Sequence, residues 1–550
     1  MTDLEIARSI EEKNITSVAS KYNLNESNLK LYGTNVAKVK LNTIDDINNN
    51  GKVILVTAIN PTPFGEGKTT VTIGLGDALN ALNENAIICL REPSLGPVFG
   101  IKGGATGGGR SQVIPMDEIN LHFTGDLHAI ESANNLLCAA LDNSIYQSNE
   151  LDIDINNIVI KRAMDMNDRS LRETIVGIGD KNGIERKDGY NITVASEVMA
   201  AYCLAKDIFD LKEKLGNIIV AYNNSGNPVY ARDLNVHGAM TALLKDAINP
   251  NIVQTLEGNM AIIHGGPFAN IAHGCNSIIA TNLARKLGNY VVCEAGFGSD
   301  LGAEKFFDIK CRLNDINPSL TVLVATTRAI KYNGNGDDFD ALKRGIVNLE
   351  RHIENLKKFN VPIVVALNKF SDDNPEELKY IKDICMVHNV SFEIANGYSE
   401  GSDGCLSLAR CCIDQIKFYE ETVPDRKLNF MYDVNDSIYQ KINRVAHEIY
   451  RAGKINYTDK AISDIEKLER LNLDKKPICI AKTQMSFSDD PKLLGAPEGY
   501  DFTIREVNVS NGAGFIVCIA GNIMTMPGLS KDAAYKKIDI DNEGNIIGIF

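Results

Sequence analysis

Short apolar runs alternate with amphipathic stretches along much of the chain, beginning near Gly51. The run KVILVTA (52–58) predicts a buried strand, 69–82 predicts a helix, and AIICLRE (86–92) predicts a second strand. Uninterrupted apolar runs, rather than strict alternation, are typical of strands that are covered on both faces of a parallel sheet. The same rhythm returns in four later runs: NYVVCEA (289–295), SLTVLVAT (319–326), VPIVVALNKF (361–370) and VSFEIAN (390–396).

These strand–helix repeats predict an α/β fold with a mostly parallel sheet and helices on both faces. The less regular stretch between them contains a predicted helix at 127–146 and is interpreted as an inserted α+β unit. Predicted helices at 434–450 and 459–472 precede a β-like end, which suggests a third, C-terminal α+β unit. We therefore predict a discontinuous nucleotide-binding domain (1–125 and 251–424), an inserted domain (126–250) and a C-terminal domain (425–550).

The sequence TPFGEGKT (62–69) joins the first predicted strand to the first predicted helix and resembles a P-loop. Backbone N–H groups of such a loop wrap phosphate oxygens at a helix N-terminus. Lys68 is predicted to reach the β- and γ-phosphates of ATP, and the Thr69 hydroxyl to ligate Mg²⁺. The alternative is a plain strand-to-helix turn, because Thr62 replaces the first glycine of the motif. We predict a P-loop-type site formed by Thr62, Pro63, Phe64, Gly65, Glu66, Gly67, Lys68 and Thr69.

A second candidate anion site covers 91–110, where seven of twenty residues are glycine. Arg91, Lys102 and Arg110 supply positive charge there, and glycine lets the backbone approach a ligand closely. Arg91 comes just after a strand that is expected to neighbour the P-loop strand, at the sheet edge where parallel α/β folds bind ligands. We therefore predict a second, carboxylate-bearing substrate beside the γ-phosphate.

Net charge, the length of the apolar runs and the cysteine spacing disfavour several classes of protein. The chain has 550 residues and a net charge of −14, with 57 basic against 71 acidic residues, which disfavours binding to nucleic acid or to anionic membranes. No apolar run reaches the roughly 18–20 residues of a membrane span, and the N-terminus lacks the pattern of a secretion signal. The 12 cysteines are scattered without a C-x-x-C pair. We expect a cytoplasmic protein with reduced thiols.

Several blocks, in order along nearly the whole chain, resemble formate–tetrahydrofolate ligases: PTPFGEGKTT (61–70), GIKGGATGGGR (100–110), HGGPFANIAHG (264–274), EAGFGSDLGAEKFFDIKCR (294–312), VATTRAIKYNGNG (324–336), VALNKF (365–370), GAGFIV (512–517) and IMTMPGL (523–529). The resemblance implies a ligase that uses ATP to join formate to tetrahydrofolate. It implies 10-formyltetrahydrofolate, ADP and phosphate as products and formyl phosphate as intermediate. It also implies Mg²⁺, a monovalent cation (K⁺ or NH₄⁺) and a homotetramer.

The resemblance also implies roles for individual residues. Lys68 and Arg91 become the catalytic pair, with Arg91 orienting formate and steadying the formyl-phosphate anion. Glu92 and Asp126 match positions of the monovalent-cation site. Without the resemblance, Asp126 would be predicted to cap the helix that follows it. For Arg91 the alternative is a surface ion pair with Glu92, which its neighbours disfavour.

Folate and phosphoryl contacts follow from the same comparison. Phe370 and Tyr398 match two aromatic positions that stack on the pterin ring, although the second is commonly Trp and this chain has none. Phe297 is a third aromatic candidate. We further predict that backbone at Gly103 and Gly104, with the nearby Gly107 and Gly108, cradles the transferred phosphoryl group.

Other functions remain open at this point. A P-loop ATPase switch that controls partner association would explain the GKTT turn but not Arg91 or the aromatic pair. A related ATP-dependent carboxylate ligase, or an inactive relative, is also compatible with parts of the pattern. Arg328 and Lys331 are predicted either to hold anions or to be solvated. His264 and His273 are expected to organise backbone rather than to act in catalysis.

Overall fold

The structure is a computed structural model, and it describes residues 1–44, 49–63, 65–100 and 104–549. Two of the predicted site residues, Phe64 and Gly103, lie outside the described residues, as does Lys102.

A twelve-stranded sheet dominates the described part of the chain, in the order β1-β2-β14-β15-β4-β16-β3-β17-β18-β19, with β6 beside β14 and β5 beside β6. The seven strands from β15 to β19 in this order run parallel to their neighbours, and the other pairs are antiparallel. Its strands are β1 (Leu29–Tyr32), β2 (Val36–Val39), β3 (Lys52–Ala58), β4 (Ala86–Leu90), β5 (Gly107–Gly108), β6 (Ser111–Ile114), β14 (Asn251–Thr255), β15 (Met260–Ile263), β16 (Tyr290–Glu294), β17 (Leu320–Ala325), β18 (Ile363–Asn368) and β19 (Ser391–Ala395).

The remaining strands form small two- and three-stranded sheets. They are β7 (Ile153–Ile158), β8 (Arg162–Met164), β9 (Thr174–Val176), β10 (Arg186–Asp188), β11 (Tyr190–Ile192), β12 (Ile219–Asn223), β13 (Pro228–Tyr230), β20 (Lys454–Tyr457), β21 (Ile478–Ala481), β22 (Asp501–Ile504), β23 (Glu506–Ser510), β24 (Phe515–Ile519), β25 (Asp539–Ile540) and β26 (Ile546–Ile547).

The α-helices of the described residues range from single turns to six turns. They are α1 (Asp3–Arg8), α2 (Ile15–Ser20), α3 (Lys68–Ala81), α4 (Leu95–Phe99), α5 (Met116–Asn120), α6 (Asp126–Gln147), α7 (Glu197–Leu204), α8 (Ile208–Gly216), α9 (His237–Leu243), α10 (Ile278–Leu287), α11 (Arg312–Asn314), α12 (Thr327–Asn333), α13 (Phe339–Lys357), α14 (Pro375–Val387), α15 (Gly397–Glu400), α16 (Leu406–Thr422), α17 (Ile438–Glu448) and α18 (Asp459–Arg470). Two stretches after β16, Ser299–Ala303 and Phe306–Cys311, form wider π-helical turns.

The predicted α/β class with a mostly parallel sheet is confirmed. Side chains of β3 alternate between two cores: Val53 and Leu55 face a cluster that includes α10 and α13, whereas Ile54 and Val56 face one that includes α3 and α16. Helices therefore cover both faces of the sheet, which explains why its strands read as continuous apolar runs. Among the seven parallel strands, only β19, at the edge, is largely half-exposed, and β1 at the opposite edge of the sheet is also half-exposed or exposed at three of its four residues.

One predicted neighbour relation is wrong. The strand before Arg91, β4, does not pair with the P-loop strand β3, because β16 lies between them and pairs with both. Sequence order cannot reveal this, since β16 comes from about 200 residues later in the chain. The consequence is that the last residue of β16, Glu294, lies between the P-loop and Arg91.

Hydrophobic packing gives the middle of the chain a core of its own, built by α6, α7, α8, α9 and β12. The helices α17 and α18 instead share one continuous cluster with the large sheet. The exact domain limits stay a prediction. Among the described helices, none combines the length and the apolar character needed to cross a bilayer.

Candidate active site

The described residues of the loop between β3 and α3 include two left-handed glycines just before a helix, which is compatible with the predicted phosphate-binding turn. Gly65 and Gly67 adopt left-handed conformations with φ of 84° and 69°, and α3 begins at the next residue, Lys68. At Gly67 there is a second requirement, because a Cβ there would lie 2.3 Å from the Asn368 Nδ2 atom at the end of β18. The free N–H groups of the first turn of α3 therefore face the loop.

Glu66 fixes the shape of this loop from within. Its Oε1 atom accepts a hydrogen bond from the Thr62 backbone N–H at 2.6 Å, and its Oε2 atom accepts one from the Thr326 hydroxyl at 2.5 Å. Its carbonyl oxygen accepts one from Asn368 at 3.2 Å. Burial raises the pKa of Glu66, and these hydrogen bonds and Lys68 oppose the rise. Both carboxylate oxygens are engaged by the loop and its neighbour, so Glu66 has a structural role here.

Lys68 and Thr69 occupy the first turn of α3 and are both half-buried. Burial lowers the pKa of Lys68; the charge of Glu294 opposes this shift, whereas the charge of Arg91 adds to it. The Thr69 hydroxyl donates a hydrogen bond to Glu294 Oε2 at 2.9 Å. Negative phosphate oxygens at this turn would stabilise the ammonium form of Lys68.

Arg91 lies on the other side of the same carboxylate. Its Nε atom is 3.8 Å from Glu294 Oε1, and its side chain is 26% exposed. The predicted alternative, a surface ion pair between Arg91 and Glu92, is wrong, because Glu92 is buried and the ion-pair partner of Arg91 is Glu294. One carboxylate thus contacts both the phosphate loop and the guanidinium, so the two predicted anion sites lie side by side.

Glu92 and Asp126, the predicted cation ligands, form a buried group with Lys38. The Lys38 ammonium is 2.8 Å from Asp126, and both side chains are only 1% exposed. The alternative that Asp126 caps its helix is wrong, since Gly125 is the N-cap residue, with φ of 92°, and Asp126 is the first residue of α6. Glu92 Oε2 is buried without a hydrogen-bond partner. Burial, followed by the charge of Asp126, raises the pKa of Glu92 well above its usual range.

These residues fit the cations that the resemblance implies, in different ways. Lys38 pairs with Asp126 and opposes the raised pKa of Glu92 by its charge, and Glu92 Oε2, which has no hydrogen-bond partner among the described residues, is available to a monovalent cation. Within the described ranges, no group of three or more His, Cys, Asp or Glu side chains could hold a metal ion by itself. A magnesium ion at Thr69 would therefore take most of its ligands from phosphate and water, as is usual for this ion.

The glycine-rich loop is only partly described. Gly107–Gly108 pairs with β6, and a Cβ at Gly107 would lie 2.7 Å from Ile73 Cδ1, in the second turn of α3. Gly104 packs against Asn120, where a Cβ would approach the Oδ1 atom to 2.2 Å. This part of the loop thus lies beside α3 rather than at its first residue, and Arg110 is exposed. The phosphoryl cradle at Gly103 and Gly104 stays a prediction.

The predicted folate-stacking residues Phe370 and Tyr398 follow adjacent parallel strands. Asn368 of β18 pairs with Ala395 of β19, so the two aromatic residues come two and three positions after one matched pair. The guanidinium of Arg328 lies 4.0 Å from the centre of the Phe370 ring and covers one of its faces. Arg328 also pairs with Asp372 at 2.7 Å.

Tyr398 is 49% exposed, and its hydroxyl donates a hydrogen bond to Asp3 Oδ1 at 3.0 Å. The same Asp3 oxygen accepts a hydrogen bond from the Gly109 N–H at 3.0 Å, so Asp3 links the ring to the glycine-rich loop. Phe297 lies in the turn after β16 in a left-handed conformation, with φ of 60°. Its role as a third folate contact stays a prediction.

The two histidines near the site are unsuited to proton transfer. Burial lowers the pKa of both His264 and His273 to about 3, so both are neutral near pH 7. The Nδ1 atom of His264 is 2.6 Å from the Ser277 hydroxyl, which anchors the turn before α10. Lys331 is predicted from the sequence either to hold anions or to be solvated. Its ammonium pairs with the buried Glu377 at 2.8 Å, so it is not simply solvated.

Three residues at this site escaped sequence reasoning: Lys38, Glu294 and Asp3. Glu294 left one signal, an acid at the end of the apolar run NYVVCE directly before the small residues Ala295 and Gly296. Lys38 and Asp3 gave no such signal, because Lys38 comes from the antiparallel strand β2 and Asp3 from the N-terminal helix α1.

The whole chain has been compared with protein-family sequence models. The model of the family described as formate–tetrahydrofolate ligase matches residues 1–550. The match therefore includes the predicted P-loop, Arg91, Glu294 and the segments that carry Phe370 and Tyr398. Members of this family are ATP-dependent ligases that act on formate and tetrahydrofolate. The chain therefore belongs to the formate–tetrahydrofolate ligase family.

Proposed function

We propose that this chain performs the family reaction in two steps, through formyl phosphate. A formate oxygen attacks the γ-phosphorus of ATP, the bond from that phosphorus to the β–γ bridging oxygen breaks, and ADP leaves. The amine of tetrahydrofolate then attacks the formyl carbon. The bond between the formyl carbon and the oxygen that carries the phosphorus breaks, and phosphate leaves. The nitrogen then loses its proton, which gives 10-formyltetrahydrofolate.

The observation that carries this proposal is the single carboxylate shared by Thr69 and Arg91. Formate and the γ-phosphate are both anions, so their reaction requires positive groups that hold them together in line. Lys68 supplies charge at the helix N-terminus, and Arg91 supplies a planar guanidinium that suits a carboxylate. Mg²⁺, when bound at Thr69, would neutralise charge on the phosphates.

The tetrahydrofolate ring is proposed to bind against Phe370 and Tyr398. Arg328 covers one face of Phe370, so the pterin would stack on the other face or displace the guanidinium. Tyr398 offers less stacking area than the Trp that is common at its position, and its hydroxyl instead holds the ring to Asp3. Glu92 and Asp126, with Lys38 beside them, are proposed to take up a monovalent cation.

An isotope experiment tests the two-step route. Formate labelled with ¹⁸O in both oxygens should deliver one labelled oxygen to inorganic phosphate in each turnover, and it should leave the other in the formyl group. Label in AMP would indicate an acyl adenylate, and unlabelled phosphate would exclude formyl phosphate; either result contradicts the proposal. Reactions that omit ATP, formate or tetrahydrofolate in turn are the controls, and an ATP-driven switch protein would cleave ATP without the other two.

A further inference from the structure

Glu294 is unexpected in a site that has to accept two anions. Its side chain is 3% exposed, and its carboxylate lies between the P-loop hydroxyl and the guanidinium of Arg91. A buried carboxylate repels phosphate and formate and costs desolvation, so by itself it weakens binding of both. We therefore expect Glu294 to provide, in the arrangement of the cationic groups, a benefit that offsets this weaker anion binding.

The orientation of Arg91 is restricted from two directions. Glu294 Oε1 faces the Nε atom at 3.8 Å. On another side, a Cβ placed on Gly296 would lie 2.9 Å from Nη1 and 3.3 Å from Cζ of Arg91, and 2.8 Å from the Cβ of Ala269, so the guanidinium and Ala269 both pack against the bare backbone of this glycine. Gly296 is buried, and its φ lies outside the left-handed region, so space for Arg91 and Ala269 rather than backbone conformation accounts for the glycine. Neither contact involves Nη2.

We propose that Glu294 and Gly296 are positioning residues that aim the Arg91 guanidinium at formate and fix it relative to the phosphate loop. This inference rests on the proposed function, in which Arg91 binds formate. Glu294 attracts Nε by its charge without a hydrogen bond to it, Gly296 leaves room for Nη1, and Nη2 is left for the substrate carboxylate. Because Glu294 Oε2 also accepts the Thr69 hydrogen bond, the same carboxylate fixes the position of one anion site relative to the other.

Such an arrangement affects rate more than affinity. In-line phosphoryl transfer depends on the relative position of the two reacting groups, and a displacement of about 1 Å can cost on the order of 100-fold in rate. If Glu294 only repelled anions, its replacement would not slow the reaction. It would instead tighten the binding of formate and nucleotide. The sign of the change therefore separates positioning from simple repulsion.

The test compares Gly296→Ala and Glu294→Gln with Gly238→Ala as a matched control, because a Cβ at Gly238 meets no atom within 4 Å. We expect kcat to fall about tenfold or more in the first two variants and to stay unchanged in the control. Binding of ADP, measured by calorimetry, should stay within about threefold of the parent protein, which shows that the nucleotide site is folded. Glu294→Gln retains an oxygen that can accept the Thr69 hydrogen bond, so it removes mainly the charge that faces Arg91.

A double variant identifies Arg91 as the group through which Gly296 acts. All proteins in this comparison carry Ala269→Gly, which removes the other side-chain atom that the new Cβ would approach. In an Arg91→Lys background there is then no guanidinium to displace, so adding Gly296→Ala should change kcat less than about twofold. A full additional loss in that background would overturn the proposal, as would a Gly296→Ala enzyme that behaves like the Gly238 control. An unchanged or faster Glu294→Gln enzyme would overturn it as well. If Arg91→Ala itself retains full activity, the proposed function of Arg91 fails instead, and the two failures are thereby distinguished.

Discussion

Replacing Lys38 by methionine should destabilise the protein strongly, because it removes the only basic group that pairs with Asp126 among the described residues. The Lys38 ammonium contacts Asp126 at 2.8 Å and the Asn249 carbonyl at 2.9 Å, and its side chain is 1% exposed. Loss of one partner of a buried ion pair costs about 3–5 kcal/mol. Asn251 still donates a hydrogen bond to Asp126 at 2.8 Å, so we expect the free energy of unfolding to fall by about 3 kcal/mol, the lower end of this range.

Lys30 provides a matched control, because it forms a similar pair with Asp246 at 2.6 Å but at the surface. The two side chains are 45% and 63% exposed, and such pairs contribute at most about 1 kcal/mol. The free energy of unfolding is measured by urea titration of tyrosine fluorescence, since the chain has no tryptophan. A loss below about 1 kcal/mol for Lys38→Met, equal to that of Lys30→Met, would refute the buried-pair reasoning.

The cost of Lys38→Met should also depend on pH. Burial raises the pKa of Glu92 and Asp126 in the folded protein, and Lys38 opposes this rise. Carboxyl groups whose folded pKa is raised favour folding most when protonated, and this stability is lost as the pH rises through the folded pKa. Without Lys38 both pKa values rise further, so the destabilisation should be larger at pH 8 than at pH 5. If the two carboxyl groups bind a monovalent cation, KCl should restore more stability than an equal concentration of tetramethylammonium chloride.

Two further variants test separate parts of the structure. Tyr398→Phe keeps the ring but removes the hydroxyl that binds Asp3 and fixes the ring in place. The KM for tetrahydrofolate should therefore rise about 2- to 10-fold at nearly constant kcat. An unchanged KM would show that Tyr398 is not part of the folate site. Glu304, whose carboxylate is buried beside that of Asp308, has a pKa raised well above its usual range by burial and then by Asp308. The parent protein should therefore lose stability as the pH rises above about 4.5, and Glu304→Gln should lose less over the same range in urea titrations; parallel pH curves would contradict this.

Local chemistry made much of the fold predictable. The runs at 52–58 and 86–92 correspond to β3 and β4, and the helix predicted at 69–82 is Lys68–Ala81. The helix predicted at 127–146 is Asp126–Gln147, whereas 434–450 shortens to Ile438–Glu448. Each prediction rests on residues that are close in sequence, where periodicity reports directly which face is buried.

The order of strands in the sheet was not predictable in the same way. Position 294 follows β3 by more than 200 residues, yet β16 enters between β3 and β4 and brings Glu294 to Arg91. Likewise, the role of Asp126 depends on Lys38, which comes from an antiparallel strand at 36–39. Helix capping would satisfy only local hydrogen bonding, and a buried lysine outweighs it here because it neutralises a charge that water no longer reaches.

The site therefore contains two kinds of residue that leave different marks in a sequence. Groups proposed to touch substrate, such as Lys68 and Arg91, lie in motifs, because phosphate binding requires glycine, N–H groups and cations at fixed spacing. Groups that hold them, such as Glu294 and Lys38, are placed by sheet order and can come from any strand. A chain could keep the whole P-loop and Arg91 and lose Glu294 or Gly296, and its motifs would still indicate a ligase. On the roles proposed for Glu294 and Gly296, such a chain would bind both anions but transfer the phosphoryl group slowly, so activity has to be inferred from the residues around the motif as well as from the motif.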